Sequence, residues 1–211
     1  MYKGQSWITL AIWAVLLLSA LDALITWRLS LAFIALATLA LSMAPIFVAR
    51  WAEVNVPRSF IVATTMFVAM TLFLGEVYDF YYRYWWWDLV LHFGSAVGFG
   101  LIGFILVFMM FQGDRYAAPP VAIAFFAFCF ALTVGTLWEI FEFGMDQFLG
   151  WNMQKSGLPD TMKDLIVDTV GAALGASAGF AYLKGQKLGG LTGTIHDFVR
   201  RNPRFFRRFR K

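Results

Sequence analysis

Six stretches of this chain are apolar over about the 20 residues that an α-helix needs to cross a bilayer. They cover roughly residues 7–27, 29–49, 59–79, 88–111, 119–143 and 164–183. Inside hydrocarbon every backbone N–H and C=O must be paired within the protein, so apolar spans of this length fold as helices. The expected fold is all-α: a polytopic membrane helical bundle of about six transmembrane helices over residues 1–187. A basic amphipathic cytoplasmic tail over 188–211 follows it. Composition agrees, since 60% of residues are hydrophobic and 14% charged, whereas soluble domains carry roughly 25% charged residues. The connections are short, which leaves no room for a separate soluble domain.

The first stretch is too long for a signal-peptide core and has no convincing small-residue cleavage site, so it is expected to remain as a helix. Cys129 is the only cysteine, so no internal disulfide forms, and its mid-helix position suits a small apolar filler.

An even number of spans puts both termini on one side. That side would hold Lys3, Arg50, Arg58, Arg115, Lys184, Lys187, Arg200, Arg201, Arg204, Arg207, Arg208, Arg210 and Lys211. The other side keeps Arg28, Arg83, Lys155 and Lys163. Cations accumulate on the cytoplasmic side, so both termini are expected there. The tail alternates Phe198, Phe205, Phe206 and Phe209 with its arginines. That pattern predicts a surface helix on anionic lipid, with membrane lipids as partners and no nucleic acid.

Carboxylates gather at one end of four spans, all on the outward side. They are Glu76 and Asp79; Asp88 with His92; Glu139, Glu142 and Asp146; and Asp160, Asp164 and Asp168. Within each set the i, i+3 or i+4 spacing puts the groups on one helical face. Capping accounts for Asp88, Asp160 and Asp164, which sit near helix starts where the dipole favours anions. It does not account for Glu76, Asp79, Glu139 and Glu142, which fall in C-terminal turns. Only residues 169–183 separate Asp168 from Lys184, too few to cross, so the last span must include Asp168.

With Asp22 and Arg28 cancelling, nine outer acids face only Arg83, Lys155 and Lys163. So many like charges cannot all stay ionised and close without a cation or protons. Oxygen-rich sites suit Mg²⁺, Mn²⁺ or Ca²⁺, and one imidazole shifts the preference toward Mn²⁺, Fe²⁺ or Zn²⁺. The expected metal ligands are Glu76, Asp79, His92, Glu139, Glu142, Asp164 and Asp168, with Asp88 and His92 as ligand or acid/base pair. A proton-sharing network without metal is the alternative. Ser95 lies one turn from His92, which alone is weak support for a nucleophile. There is no P-loop, no paired-cysteine zinc pattern and no nucleotide-binding glycine fingerprint.

Small residues mark two spans: Gly94, Ser95, Gly98, Gly100 and Gly103 in the fourth, and Gly171, Gly175 and Gly179 in the sixth. Such residues let helix backbones approach closely in lipid and would bring Asp88/His92 and Asp164/Asp168 together. The run Tyr81, Tyr82, Tyr84, Trp85 and Trp86 around Arg83 reads as an interfacial aromatic belt, or as a stacking platform for a head group.

Four elements carry a family resemblance: Tyr84 through Phe93, Trp138-Glu139-Ile140-Phe141-Glu142, Asn152-Met153-Gln154, and Asp160 through Gly171. Across roughly residues 60–180 they resemble the YjdF-type inner-membrane proteins. More distantly, the Asp-x-x-x-His-Phe element, the helix-end glutamate and the Asp-then-Gly element are similar to VanZ-like proteins. The first resemblance implies an integral membrane protein of no established activity. The second hints at the cell envelope, but the glutamine and arginine that follow the VanZ-like glutamate are not clearly matched here.

The expectation is an inner-membrane protein of a bacterium. Its outward-facing carboxylate and histidine site would bind a divalent metal (Mg, Mn, Ca or Zn) and act on an envelope lipid or its head group, as a hydrolase or transferase. The alternatives are a cation- or proton-coupled transporter, and a noncatalytic envelope or stress protein. A transporter needs polar groups continuing inward, where the third to sixth spans hold Thr64, Thr65, Ser177 and few others.

Overall fold

The computed structural model describes residues 5–111 and 118–206. Lys3, Arg115, Arg207, Arg208, Phe209, Arg210 and Lys211, used above for orientation and for the tail, lie outside the described residues. All regular structure among the described residues is helical. Six helices are long and apolar enough to cross a membrane: Trp7–Ile25, Leu29–Trp51, Arg58–Val77, Trp87–Met110, Pro120–Leu149 and Leu158–Leu183. The chain divides into two compact units, Met1–Trp87 and Asp88–Lys211.

In the first unit α1 (Trp7–Ile25) and α2 (Leu29–Trp51) form a hairpin beside α3 (Arg58–Val68). Ser6 caps α1 by accepting from Ile8 N. One apolar cluster joins Leu16, Ala20, Ala35 and Phe73, and a second joins Trp13, Ile46 and Ile61. The buried Trp13 Nε1 donates to Ser42 Oγ at 3.0 Å, so the indole's polar end is satisfied inside the apolar layer. Beyond Val68 the third span continues as a π-helix, Ala69–Val77.

That span ends sooner than its apolar run suggests. Asp79 has φ of 56°, a left-handed conformation that Asp tolerates better than most residues, and a short helix α4 (Phe80–Arg83) follows. The expected shared helical face of Glu76 and Asp79 is therefore corrected: Asp79 stands outside the helix. Both side chains are exposed. Gly75 leaves room for the Tyr81 ring, which a Cβ at that position would strike.

The second unit contains α5 (Trp87–Met110, its first residue at the boundary), α6 (Pro120–Leu149), α7 (Leu158–Leu183) and α8 (Gly189–Arg201). Prolines open both long helices: Pro120 begins α6 and Pro159 lies in the first turn of α7, where the missing N–H costs nothing. α6 is longer than the expected 119–143 and carries Asp146 in its last turn. α7 begins at Leu158 rather than 164, so Asp160 and Asp164 occupy its first two turns.

The glycines of α7 make the anticipated close contact with α5. A Cβ at Gly171 would stand 2.6 Å from the Phe93 carbonyl oxygen, and one at Gly175 would stand 2.6 Å from that of Val97. On α5 the matching residue is Gly100, against Gly175. Gly94 and Gly98 face open space and take no part.

The tail is not merely peripheral. Thr192, Ile195 and Phe198 of α8 are buried, a spacing of three residues that lines one helical face. Phe206, 2% exposed, stacks on Phe108 with ring centroids 5.3 Å apart, and Asn202 Nδ2 donates to the Phe198 carbonyl at 2.8 Å. The apolar side of the tail thus packs on the second unit, while Arg200 and Arg201 remain in its last turn. Phe206→Ala should accordingly lower stability by about 3 kcal/mol, read as earlier thermal unfolding in detergent. An unchanged melting curve would mean that the tail lies on the surface only.

Candidate functional site

Three helices of the second unit meet at His92. It lies one turn into α5, 7% exposed. Its Nδ1 is 3.4 Å from Asp168 Oδ2 on α7, and its Nε2 is 3.7 Å from Glu139 Oε1 on α6. Asp88, one turn earlier on α5, places Oδ1 4.0 Å from the same Nε2. Lys155, in the connection between α6 and α7, donates from Nζ to Asp88 Oδ2 at 2.9 Å.

The acids inside this arrangement are deeply placed. Glu139 is 3% exposed, Asp164 2% and Asp168 1%. Both carboxylate oxygens of Glu139 are buried without a hydrogen bond of ordinary geometry, and so is Asp168 Oδ1. Thr161 is the nearby hydroxyl; its Oγ1 accepts from Gln154 Nε2 at 2.6 Å, which leaves its own O–H free to turn toward Glu139. Buried polar atoms are nearly always paired, because desolvation without a partner costs several kcal/mol. The nearest groups to the Glu139 carboxylate are the His92 imidazole, at 3.7 Å, and the Thr161 hydroxyl.

One ligand atom each from His92, Glu139 and Asp164 lies within 4.8 Å of the other two, and the same holds for Asp88, Asp160 and Asp164. Those are separations at which carboxylates and an imidazole can share a cation. Asp160 stands outside the expected ligand set, yet the geometry includes it.

The surroundings hold these groups in place. Asp146, in the last turn of α6, accepts from the backbone N–H of Met153 at 2.7 Å and of Gln154 at 2.9 Å, which fixes the connection to α7. Gly150 and Gly157 take positive φ at its two ends. Gly135, one turn before Glu139, leaves room for Asp168: a Cβ there would collide with Asp168 Oδ2 and stand 3.1 Å from Cγ. Neither Gly135 nor Thr161 stands out in the sequence, since a lone glycine or threonine in an apolar helix has many explanations.

Glu142, Glu76 and Asp79 fall in neither of these groupings among the described residues. Glu142, one turn beyond Glu139, accepts from Trp138 Nε1 at 2.8 Å. Glu76 and Asp79 belong to the first unit and are exposed there. Ser95 Oγ donates to the His92 carbonyl oxygen at 2.8 Å, an ordinary helix back-bond rather than a pairing with the imidazole.

The family described as "Predicted membrane protein (DUF2238)" matches residues 5–185. The chain belongs to that family. With its six apolar helices, this DUF2238 protein is an integral, multi-pass membrane protein. The YjdF-type resemblance fits the family, whereas the VanZ-like one gains no support. The chain is similar to an uncharacterized protein of Thermotoga maritima, 35% identical over 114 residues that cover 51% of this chain. Those residues span 57% of the relative's length. No solved structure matches the chain.

Gly135→Ala should turn the Asp168 carboxylate away from His92. The chain has two histidines, so ¹⁵N-histidine labelling gives two imidazoles to follow, His92 and His196. The substitution should shift the His92 ring nitrogens and leave those of His196 in place. Unshifted His92 signals would mean that Gly135 does not position Asp168.

Proposed function

We propose that this protein is a cation-dependent protein of the bacterial plasma membrane, whose outward-facing site acts on the head group of an envelope lipid. The observation that carries the reading is Glu139. Its two oxygens are buried at 3% exposure without a hydrogen bond of ordinary geometry, beside the imidazole of His92 and within ligand distance of Asp164. A divalent ion held by His92, Glu139 and Asp164 would supply the missing partner. Mg²⁺, Mn²⁺, Ca²⁺ and Zn²⁺ all suit oxygen ligands, and the imidazole favours Mn²⁺ or Zn²⁺ among them.

Roles follow from the two ring nitrogens. If His92 donates from Nδ1 to Asp168, its Nε2 lone pair faces Glu139, the side on which the ion would sit. A ligating histidine normally gives its other N–H to a carboxylate in this way, which fixes the tautomer and the ring. Asp168 then acts as a positioning residue rather than as a ligand. When bound, the metal would activate water or neutralise phosphate charge. Asp88 is the acid/base candidate, 4.0 Å from Nε2 and held by Lys155.

Two features support a lipid substrate. Leu137, Trp138, Ile140, Phe141 and Phe143 flank Glu139 on α6 and are exposed, so an acyl chain can lie against the helix that carries the site. Beyond Asp168, the buried positions of α7 are Gly171, Ala172, Gly175, Ala176, Ala178, Gly179 and Ala181. Those residues continue no polar path along the helix, which favours a site open at one end over the relay of a transporter.

Chelation should lower the thermal stability of the purified protein, and one divalent ion should restore it. At a hundredfold excess over Kd, binding stabilises by about 2.7 kcal/mol. Glu139→Gln should keep the helical content and lose that restoration. A protein without metal by elemental analysis, and indifferent to chelator and added ions, would remove this reading.

A further inference from the structure

Asp164 belongs to two ligand sets at once, one with His92 and Glu139 and one with Asp88 and Asp160. It is 2% exposed. Asp160 Oδ2 in the second set is buried without a partner. The first set is wholly buried, whereas Asp88 and Asp160 are half-buried, so the second set lies nearer the surface.

A cation already stands at that second set. The Lys155 ammonium rests on Asp88 Oδ2 at 2.9 Å. Its backbone has φ of 25°, in the left-handed region that a lysine rarely adopts. The strain is held by neighbours: Asp146 accepts from the N–H groups of Met153 and Gln154, and Gln154 Nε2 donates to Thr161. A connection fixed in this way keeps a positive charge over carboxylates that would otherwise repel one another.

We propose that the site takes two divalent cations bridged by Asp164, and that the second, at Asp88, Asp160 and Asp164, competes with the Lys155 ammonium. The inference rests on the metal reading above and deepens it. Asp164 has two carboxylate oxygens, one for each ion, and Asp160 Oδ2 lacks the partner that a cation would provide. When the second ion binds, Lys155 leaves Asp88, which then serves as a ligand in place of the acid/base role it has with one ion. Paired metal ions suit in-line displacement at a phosphoryl group, which makes phosphate-bearing head groups the substrate class. A phosphate could not approach these five carboxylates, Asp88, Glu139, Asp160, Asp164 and Asp168, unless cations offset them.

The test is Mn²⁺ binding to the full chain in detergent, counted by native mass spectrometry and by electron paramagnetic resonance. Wild type should bind two ions, one tightly and one weakly, with spin coupling between them at saturation. Lys155→Met should tighten the weak step alone, with Lys155→Gln as the second variant should that one fail to fold. Asp160→Asn should lose the weak ion and the coupling while keeping the tight ion. Binding of a single ion by wild type and Lys155 variants alike would overturn the two-ion proposal and leave the metal reading intact. Two ions without tightening in the Lys155 variants would overturn the competition, and retention of the coupling in Asp160→Asn would overturn the ligand assignment. No Mn²⁺ bound by any form would remove the metal reading beneath both.

Discussion

The close contact of α5 with α7 sets everything else in the second unit. Gly171 packs against the Phe93 carbonyl at a distance that any side chain would violate. Phe93 follows His92 directly, and Gly171 lies one turn after Asp168. The glycine that admits the backbone therefore also delivers the carboxylate to the imidazole. Helix packing in lipid has little hydrophobic drive and relies on such van der Waals fit. Gly135 repeats the device on α6, where the missing Cβ leaves space for Asp168 itself. Polar groups are thus held beside one another by residues that carry no polarity.

That packing explains why the acids resist a purely structural account. Capping suits Asp88 and Asp160 in the first turns of their helices, and Asp146 earns a clear structural role by accepting two backbone N–H groups of the following connection. Glu139 has neither excuse. It sits in the body of α6 with both oxygens buried and without a hydrogen bond of ordinary geometry, in surroundings where an isolated carboxylate is strongly disfavoured. A bound cation would remove the penalty. A carboxylate retained at such cost without function would be unusual among membrane helices.

Much of this was legible in the sequence. Length and hydropathy marked all six spans, because a hydrocarbon layer leaves the backbone little choice, and the glycines of α7 at every fourth position announced a close neighbour. Spacing and depth put His92, Glu139, Asp164 and Asp168 in one set, but put Glu76, Asp79 and Glu142 in it as well. Local backbone geometry was not legible: Asp79 leaves the helix through a left-handed conformation, and a π-helix precedes it, although the apolar pattern runs on. Partner choice across helices was hidden too. Nothing in the spacing says that Gly100 rather than Gly94 faces α7, or that Gly135 makes room for Asp168. The tail read as a lipid-surface helix from its cations; in the fold Phe206 packs on Phe108 and Phe198 on Phe206, since amphipathicity does not say what covers the apolar face. Lys155 was counted only as a charge; its place over Asp88 depends on the folded connection.

The central claim is that His92 and Glu139 hold a cation through Nε2 and a buried carboxylate. Its most direct test is pulsed electron paramagnetic resonance of the protein loaded with one equivalent of Mn²⁺, in natural abundance and with ¹⁵N-histidine. A single directly bound imidazole nitrogen should couple to the ion, change with the isotope, and disappear in His92→Gln while persisting in His196→Gln. Bound Mn²⁺ without nitrogen coupling, or coupling that survives the loss of His92, would contradict the account.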